Sequence, residues 1–158
     1  MQTAKQISVS LVNKPGRLAA MLAALNKEKV NFRALAVMDS GDRGTVRFVP
    51  DDPGKAVEVL GALNIRSETA DVLLVEVPGQ PGAFRKICER LAAEHLNIDY
   101  AYCSFALEGN KRGVLAVIKV NDLAKAQRVL SENGMAAIRK AAAATRKKLP
   151  VRRPLPTR

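Results

Sequence analysis

Two Pro-Gly steps are the residues of this sequence best suited to hold a small ligand. The sequence reads VNKPGRL at residues 12–18 and PGQPGAF at residues 78–84, which places Pro15 and Pro81 66 positions apart. Apolar residues at helical spacing follow each step. Glycine lacks a Cβ and lets a ligand approach the backbone, and the first turn of a helix presents unpaired N–H groups at its positive end. Each step therefore predicts a seat for a carboxylate.

Asparagine residues near the two steps suit a ligand that donates hydrogen bonds. Asn13 precedes the first step, and Asn31 and Asn97 take equivalent positions in the two halves of the chain. Amide oxygens accept hydrogen bonds from an ammonium without adding a second negative charge. Structural alternatives stay open, because Asn13 also suits a turn or a cap and the other two also suit a helix C-terminus. Lys14 and Arg17 either contact the carboxylate or are solvated.

Catalytic chemistry has little support in the sequence. The chain has six serines but only one histidine, His95, that could serve as a general base for any of them. It also has no Gly-x-Ser-x-Gly elbow, phosphate loop or dinucleotide glycine pattern. Two cysteines, Cys88 and Cys103, are too few for a disulfide framework or a metal site, and we expect buried free thiols. The sequence thus predicts no enzyme activity, no cofactor and no metal.

The net charge of +11 is concentrated at one end. Eight of the 26 basic residues and none of the 15 acids lie between Arg139 and Arg158. We expect residues 139–158 to be a disordered tail, and nucleic acid to bind, if at all, through it. No apolar run approaches the roughly 20 residues of a membrane span, and the N-terminus lacks a signal-peptide block. The sequence therefore predicts a cytoplasmic protein without membrane contact.

The chain repeats one unit twice. Aligning Pro15 with Pro81 also aligns Leu25 with Leu91 and Asn31 with Asn97, and about three extra residues follow in the segment ALEGNKR of the second copy. In each copy the apolar period changes in the order strand, helix, strand, strand, helix, strand, with a short closing strand expected near Ile65. Such βαββαβ units are ferredoxin-like, with both helices on one face of an antiparallel sheet.

The two units are expected to pack together. Each has roughly 65 residues, a size at which a single domain is marginally stable. The segment RSETADVLLVEV joins them without a flexible linker. We therefore expect an α+β fold of two packed ferredoxin-like βαββαβ units, with antiparallel sheets and helices on one face. The expected bounds are residues 5–69 and 71–138.

The repeated segments resemble the ACT domain, a small regulatory module that binds amino acids. The resemblance rests on VNKPGRLAAMLAALNKEKVNFRAL and VPGQPGAFRKICERLAAEHLNIDYAY, and it covers residues 5–138. It implies a tandem ACT protein, with a homodimer as the expected assembly. It also implies ligands between the loop of one unit and the second strand of its neighbour. The first implied site comprises Asn13, Lys14, Pro15, Gly16, Arg17, Leu18, Asn97 and Asp99, and the second comprises Gln80, Pro81, Gly82, Ala83, Phe84 and Asn31.

The two implied sites are not equal. Gly79 stands where Asn13 does and offers no side chain, so we rank the first site above the second. The resemblance favours a non-catalytic regulatory protein that senses a free amino acid at the interface between the ACT units. Two alternatives remain, namely a regulatory subunit that docks on a biosynthetic enzyme such as acetolactate synthase, and a nucleic-acid-binding protein acting through its basic tail.

Overall fold

A computed structural model describes residues 1–104 and 113–131. The expected tail at 139–158, the last residues of the second expected unit and the segment ALEGNKR lie outside these ranges. The described elements are β1 (Gln2–Val12), α1 (Arg17–Lys27), β2 (Phe32–Ser40), β3 (Arg43–Pro50), α2 (Pro53–Ala62), β4 (Ser67–Pro78), α3 (Ala83–Ala93), β5 (Ile98–Ser104), β6 (Gly113–Val120) and α4 (Leu123–Val129).

The six described strands form one antiparallel sheet in the order β2-β3-β1-β4-β6-β5. The first four of these are in ferredoxin-like order, as the repeat predicts. The long strand β4 belongs to both units, because residues Ser67 to Leu74 pair with β1 and residues Leu73 to Pro78 pair with β6. The closing strand expected near Ile65 is thus the first part of β4, and the expected boundary between the units falls inside this strand.

The strand β1 is shared in the same way. Its last residues, Ile7 to Val12, pair with β3, and its first part pairs with β4. In the first unit, β4 is the fourth strand and pairs with β1. In the second unit, β1 takes that place and pairs with β4. Within the described residues, each unit thus shares a strand with the other. The sequence predicts two packed sheets, whereas the structure has one continuous sheet.

All four helices cover the same face of the sheet. Ile7 lies opposite Thr69 across the β1–β4 pair, and alternation along β4 puts Leu73 on that same face. Ile7 belongs to the core under α1 and α2, and Leu73 to the core under α3 and α4. Leu25 of α1 and Leu91 of α3, which are equivalent in the repeat, are both fully buried. The predicted placement of the helices is confirmed.

The face without helices also contains a core. It is formed by Ala34, Val49, Val72, Leu74, Leu115 and Val117. The edge strands β2 and β5 approach each other although they lie at opposite ends of the strand order. The sheet is therefore curled around this face, and we call the enclosed surface the helix-free face.

The helices α2 and α4 begin in the same manner. Asp52 and Asp122 accept hydrogen bonds from the backbone N–H of Lys55 at 3.0 Å and of Lys125 at 2.9 Å. These side-chain caps satisfy donors that a helix start leaves unpaired. The caps are 70 positions apart, whereas the Pro-Gly steps are 66 apart. By the start of its second helix, the second unit therefore has four extra residues.

The edge strands leave some apolar side chains uncovered. Val37 of β2 is 53% exposed, and Cys103, at the equivalent position of β5, is exposed as well. Cys88 is half-buried. The expectation of two buried thiols is thus wrong for Cys103, because the helices do not cover this part of the edge strand. No helix of the described residues has the length and apolar character that crossing a membrane requires.

Candidate functional site

Both Pro-Gly steps form the predicted helix starts. Gly16 and Gly82 are the N-cap residues of α1 and α3, with φ values of 85° and 79°. These values lie in the left-handed region, which glycine adopts readily and other residues adopt only with strain. Among the described residues no side chain caps either helix, in contrast to α2 and α4. The first N–H of each helix is bonded within its own turn, that of Arg17 to the carbonyl of Lys14 and that of Ala83 to the carbonyl of Gln80. The next N–H groups of the first turn are therefore the ones that can contact an anion from outside the chain.

Asn13 connects the first Pro-Gly step to the β2–β3 turn. Its side-chain N–H donates to the carbonyl oxygen of Gly41 at 3.3 Å, and its backbone N–H donates to that of Asp42 at 2.9 Å. The turn role left open by the sequence is thus present in the structure. The neighbouring Lys14, Pro15 and Arg17 are exposed, and Leu18 packs partly against the first core.

The second step differs in its side chains. The backbone of Gln80 forms the turn, since its N–H donates to the carbonyl of Pro78 at 2.8 Å and its own carbonyl accepts from Ala83 at 3.2 Å. Pro81 is exposed, Ala83 is buried in the second core and Phe84 packs partly against it. This step has no contact equivalent to that of the Asn13 side chain, because Gly79 takes its place.

Asn31 and Asn97 tie the starts of β2 and β5 to the following helices. The Asn31 backbone N–H donates to the Asp51 carboxylate at 3.0 Å, and that of Asn97 donates to Asn121 Oδ1 at 3.0 Å. The side chain of Asn97 also donates to Asp99 at 3.0 Å. The left-handed residues that end α1 and α3 are instead Lys29 and His95, with φ values of 58° and 55°.

Strand register does not bring either asparagine to the step implied for it. Ile98, at the start of β5, pairs with Val120 at the end of β6, and the pairs of β4 with its two neighbours put this end of β6 level with the middle of β1. Asn97 is therefore level with the middle of β1, whereas Gly16 follows the end of that strand. Asn31 precedes β2, which also begins level with the middle of β1, whereas Gly82 follows the end of β4. Among the described residues, no hydrogen bond joins Asn97 or Asp99 to the first step.

A buried polar cluster joins the two units on the helix-free face. Gln6 of β1 is fully buried, and its side-chain N–H₂ donates to the Tyr100 hydroxyl at 2.7 Å and to Ser8 Oγ at 3.2 Å. The Tyr102 hydroxyl donates to Gln6 Oε1 at 3.0 Å. The Arg47 guanidinium lies 4.0 Å from the centre of the Tyr100 ring, within the range of a cation–π contact. Strands of the first unit thus contact β5 of the second directly.

The alternating pattern of β1 does not predict this cluster. Gln6 and Ser8 alternate with Ile7 and Val9, a pattern that favours a solvent-facing side for polar residues. The available signal was the pair of tyrosines at positions 100 and 102, because residues two apart in a strand share a face. Two large aromatic residues on one face indicate a covered surface opposite the helices.

An open cleft lies beside this cluster, where β1 continues beyond its last pair with β4. That pair is Val9 with Ser67, whereas β1 extends to Val12. The cleft has a volume of about 640 Å³, in the range of small-molecule sites. Of the residues implied by the resemblance, Arg17 is among those lining it. The polar lining comprises Ser8, Ser10, Arg17, Arg43, Thr45, Arg47, Asn64, Arg66 and Glu68.

Comparison with protein families identifies the repeat. The sequence model described as an ACT domain pair matches residues 2–145. The chain belongs to the ACT domain pair family. This confirms the resemblance and, with the observed sheet, the ferredoxin-like fold of the ACT units. A comparison with curated proteins gave no match.

Solved structures share the fold of this ACT domain pair. Protein BT0572 from Bacteroides thetaiotaomicron is 34% identical, with a TM-score of 0.75 over 83% of this chain and 88% of that one. The ligand-free regulatory subunit of aspartate kinase from Thermus thermophilus is 17% identical, with a TM-score of 0.61 over 87% of this chain and 97% of that one. The corresponding subunit from Thermus flavus is 17% identical, with a TM-score of 0.57 over 89% and 97%.

The two ACT units differ most on the helix-free face. By the repeat, Gln6 and Ser8 of the first unit correspond to Val72 and Leu74 of the second, and Arg47 corresponds to Val117. The three second-unit residues belong to the apolar core of this face. At these three positions the face is therefore polar in the first unit and apolar in the second, and the open cleft adjoins the polar positions.

The ionisation of Tyr102 gives a test of the polar cluster. Burial raises the pKa of the Tyr102 hydroxyl, the nearby Tyr100 adds to this, and Arg47 acts in the opposite direction. The unfolded chain loses the tyrosine proton near pH 10, while the folded chain holds it to higher pH. We therefore expect the free energy of unfolding to be unaffected by this group below about pH 10 and to fall as the pH rises above it.

Urea unfolding at pH 8, 10 and 11 measures this fall, and Tyr102→Phe should reduce it relative to the wild type. Tyr100→Phe serves as the comparison, because it removes a hydroxyl from the same cluster without removing Tyr102. If the Tyr102→Phe protein lost stability with pH as steeply as the wild type, the buried and neutral state of Tyr102 would be refuted.

Proposed function

We propose that this protein is a non-catalytic regulatory protein that binds a free amino acid at the Pro-Gly helix starts, between its ACT units. The observation that carries the proposal is the contrast between the helices. Those that begin at Asp52 and Asp122 have side-chain caps, whereas those that begin at Gly16 and Gly82 have none. An α-carboxylate can take the place of the missing caps at the latter two helix starts.

The energies of such contacts suit a metabolite sensor. A carboxylate at a helix start gains about 0.3–2 kcal/mol from the dipole, and each charge-assisted hydrogen bond adds roughly 1.5–3 kcal/mol. Several together reach the ~4–8 kcal/mol of millimolar to micromolar binding. We rank the Gly16 start first, because Asn13 holds its loop against Gly41, whereas Gly79 offers no side chain at the second start.

Titration with the twenty common L-amino acids tests the proposal. A specific ligand at 100 times its dissociation constant should raise the free energy of unfolding by about 2.7 kcal/mol. Gly16→Ala should lower the affinity about tenfold, because alanine disfavours the left-handed conformation and shifts the first-turn N–H groups. No Cβ clash complicates the variant, since nothing lies within 4 Å of a Cβ placed at Gly16.

Gly82→Ala is the matched control, because it imposes the same backbone strain at the second helix start. Each substitution should cost about 1–2 kcal/mol of stability, but the effect on affinity should be larger for Gly16→Ala if the ranking holds. A flat response to all twenty amino acids in both calorimetry and thermal unfolding would refute the proposed function.

We further propose that the ligand-bound protein acts on a biosynthetic enzyme. The family supports this role, since ACT domains are regulatory modules. The aspartate kinase regulatory subunits support it too, because this fold covers 97% of the Thermus thermophilus subunit. An ACT pair therefore accounts for nearly all of a separate regulatory subunit. The homodimer, the cytoplasmic location and nucleic-acid binding through residues 139–158 stay predictions.

A further inference from the structure

The open cleft has a regular polar lining on the helix-free face of β1, β3 and β4. Strand register puts Arg47, Ser8 and Glu68 side by side in one row across the three strands. Thr45 and Ser10 form the next row, and Arg43 lies one row further. Same-face neighbours in adjacent strands are about 5 Å apart, so the first row spans roughly 10 Å. The lining can therefore contact several groups of one small molecule.

The charges of the cleft are largely without ion-pair partners in the described part of the chain. Four arginines and one glutamate line it. Among the described residues, the ion pairs are those of Lys5, Arg85 and Lys125 with their own partners, and none includes Glu68 or a cleft arginine. Arg43 is oriented by Ser10, to which its Nε donates at 2.7 Å and its Nη2 at 2.9 Å. The cleft thus presents a positive field with one negative group inside it.

We propose that this cleft binds an amino acid with an acidic side chain. Such a ligand has two carboxylates and one ammonium group, which matches a lining rich in arginine with a single carboxylate. Arginine guanidinium groups bind carboxylates in bidentate geometry. Arg43 and Arg66 bind the two carboxylates, and Glu68 binds the ammonium. The serine and threonine hydroxyls supply further hydrogen bonds.

The position of the cleft connects this ligand to the junction of the ACT units. Ser8 and Arg47 line the cleft and also belong to the polar cluster, where Arg47 lies against Tyr100 of β5. A charged ligand in the cleft therefore lies beside Arg47 and changes the charge near the contact between β3 and β5. The cleft adjoins the Gly16 helix start, because Arg17 lines it. Its proposed contacts are side chains and use none of the first-turn N–H groups, so the proposal does not require the proposed function.

Calorimetric titration of the full chain tests this proposal with defined probes. L-glutamate and L-aspartate should bind, and L-glutamine and L-asparagine should bind at least about tenfold more weakly, because the amides lose one charge-assisted contact. Glutarate has both carboxylates but no ammonium and should also bind more weakly. Inorganic phosphate that binds as tightly as the acidic amino acids would overturn the proposal, because it would indicate an unspecific anion site.

Two exposed residues provide variants that leave the core intact. Arg66→Gln should weaken L-glutamate or L-aspartate about tenfold or more, and Glu68→Gln should weaken these amino acids but not glutarate. Arg128→Gln, an equal charge change on α4 outside the cleft, is the control and should leave both affinities unchanged. An acidic amino acid that binds irrespective of Arg66 and Glu68 would overturn this proposal while leaving binding at the helix starts possible. A flat titration with every acidic amino acid would overturn it as well.

Discussion

Leu25→Ala is expected to lower the free energy of unfolding by about 2–5 kcal/mol, and to do so for both ACT units at once. Leu25 is fully buried in the core under α1 and α2, and truncating a buried leucine leaves a cavity that the surroundings fill only in part. The effect should reach the second unit because β1 and β4 belong to the sheets of both units.

The chain has its own reporter for the second unit. Its two tyrosines, Tyr100 and Tyr102, both lie in β5, and it has no tryptophan. Tyrosine fluorescence therefore reports β5 together with its contacts to Gln6 and Arg47 of the first unit, while far-ultraviolet circular dichroism reports both units throughout. In urea unfolding of Leu25→Ala, the two signals should shift to lower denaturant together. A tyrosine transition that stays in place while the circular dichroism transition splits would show that the units unfold independently.

Leu91→Ala is the matched substitution in the second unit. Leu91 is the repeat equivalent of Leu25, is fully buried and packs under α3 and α4. We expect a loss of stability of similar size and again a single transition for both signals. A single transition in both signals for both variants would show that a cavity in either unit destabilises the whole described sheet, whereas two separate transitions in either variant would contradict this.

Local signals in the sequence were sufficient for the elements of the fold. The Pro-Gly steps, the change of apolar period and the exact repeat of Leu25 at Leu91 predict the helices and strands of both units. These signals are short-range, since they depend on neighbours within one or two turns. The left-handed glycines at positions 16 and 82 likewise follow from the requirement for an abrupt change from strand to helix.

The sharing of strands could not be predicted in the same way. The apolar residues of β1 and β4 fit a strand in any register, and the sequence does not state which neighbour lies on each side. The curl of the sheet decides the environment of Gln6, because it brings β5 across the helix-free face. A polar residue in an alternating strand is normally solvated, and only the approach of Tyr100 and Tyr102 makes it a buried one.

The candidate site likewise has one part that the sequence predicts and one part that it does not. Glycine and proline mark the helix starts from sequence, since their backbone preferences are intrinsic. The cleft, in contrast, depends on where the β1–β4 pairing ends, and it collects Arg43, Arg66 and Glu68 from separate segments of the chain. Residues 43 and 66 carry no local pattern that relates them, so only the strand register brings them together.

Replacing Gln6 by alanine is expected to cost about 2–4 kcal/mol of stability. The change removes the partner of the Tyr100 and Tyr102 hydroxyls, and an unsatisfied buried hydroxyl costs about 1–3 kcal/mol, with a further contribution from the cavity. Chemical denaturation followed by circular dichroism measures the loss. Gln2→Leu, an exposed position on the same strand, is the control and should change stability by less than about 0.5 kcal/mol.

The mechanism predicts a rescue that a purely steric role for Gln6 does not. Gln6→Leu should be destabilising in the wild type but much less so when Tyr100→Phe and Tyr102→Phe are also present, because no hydroxyl then remains without a partner. The coupling should amount to at least about 1 kcal/mol, as expected for residues in one hydrogen-bond network. Strictly additive losses would contradict the network and reduce Gln6 to a space-filling residue between the two units.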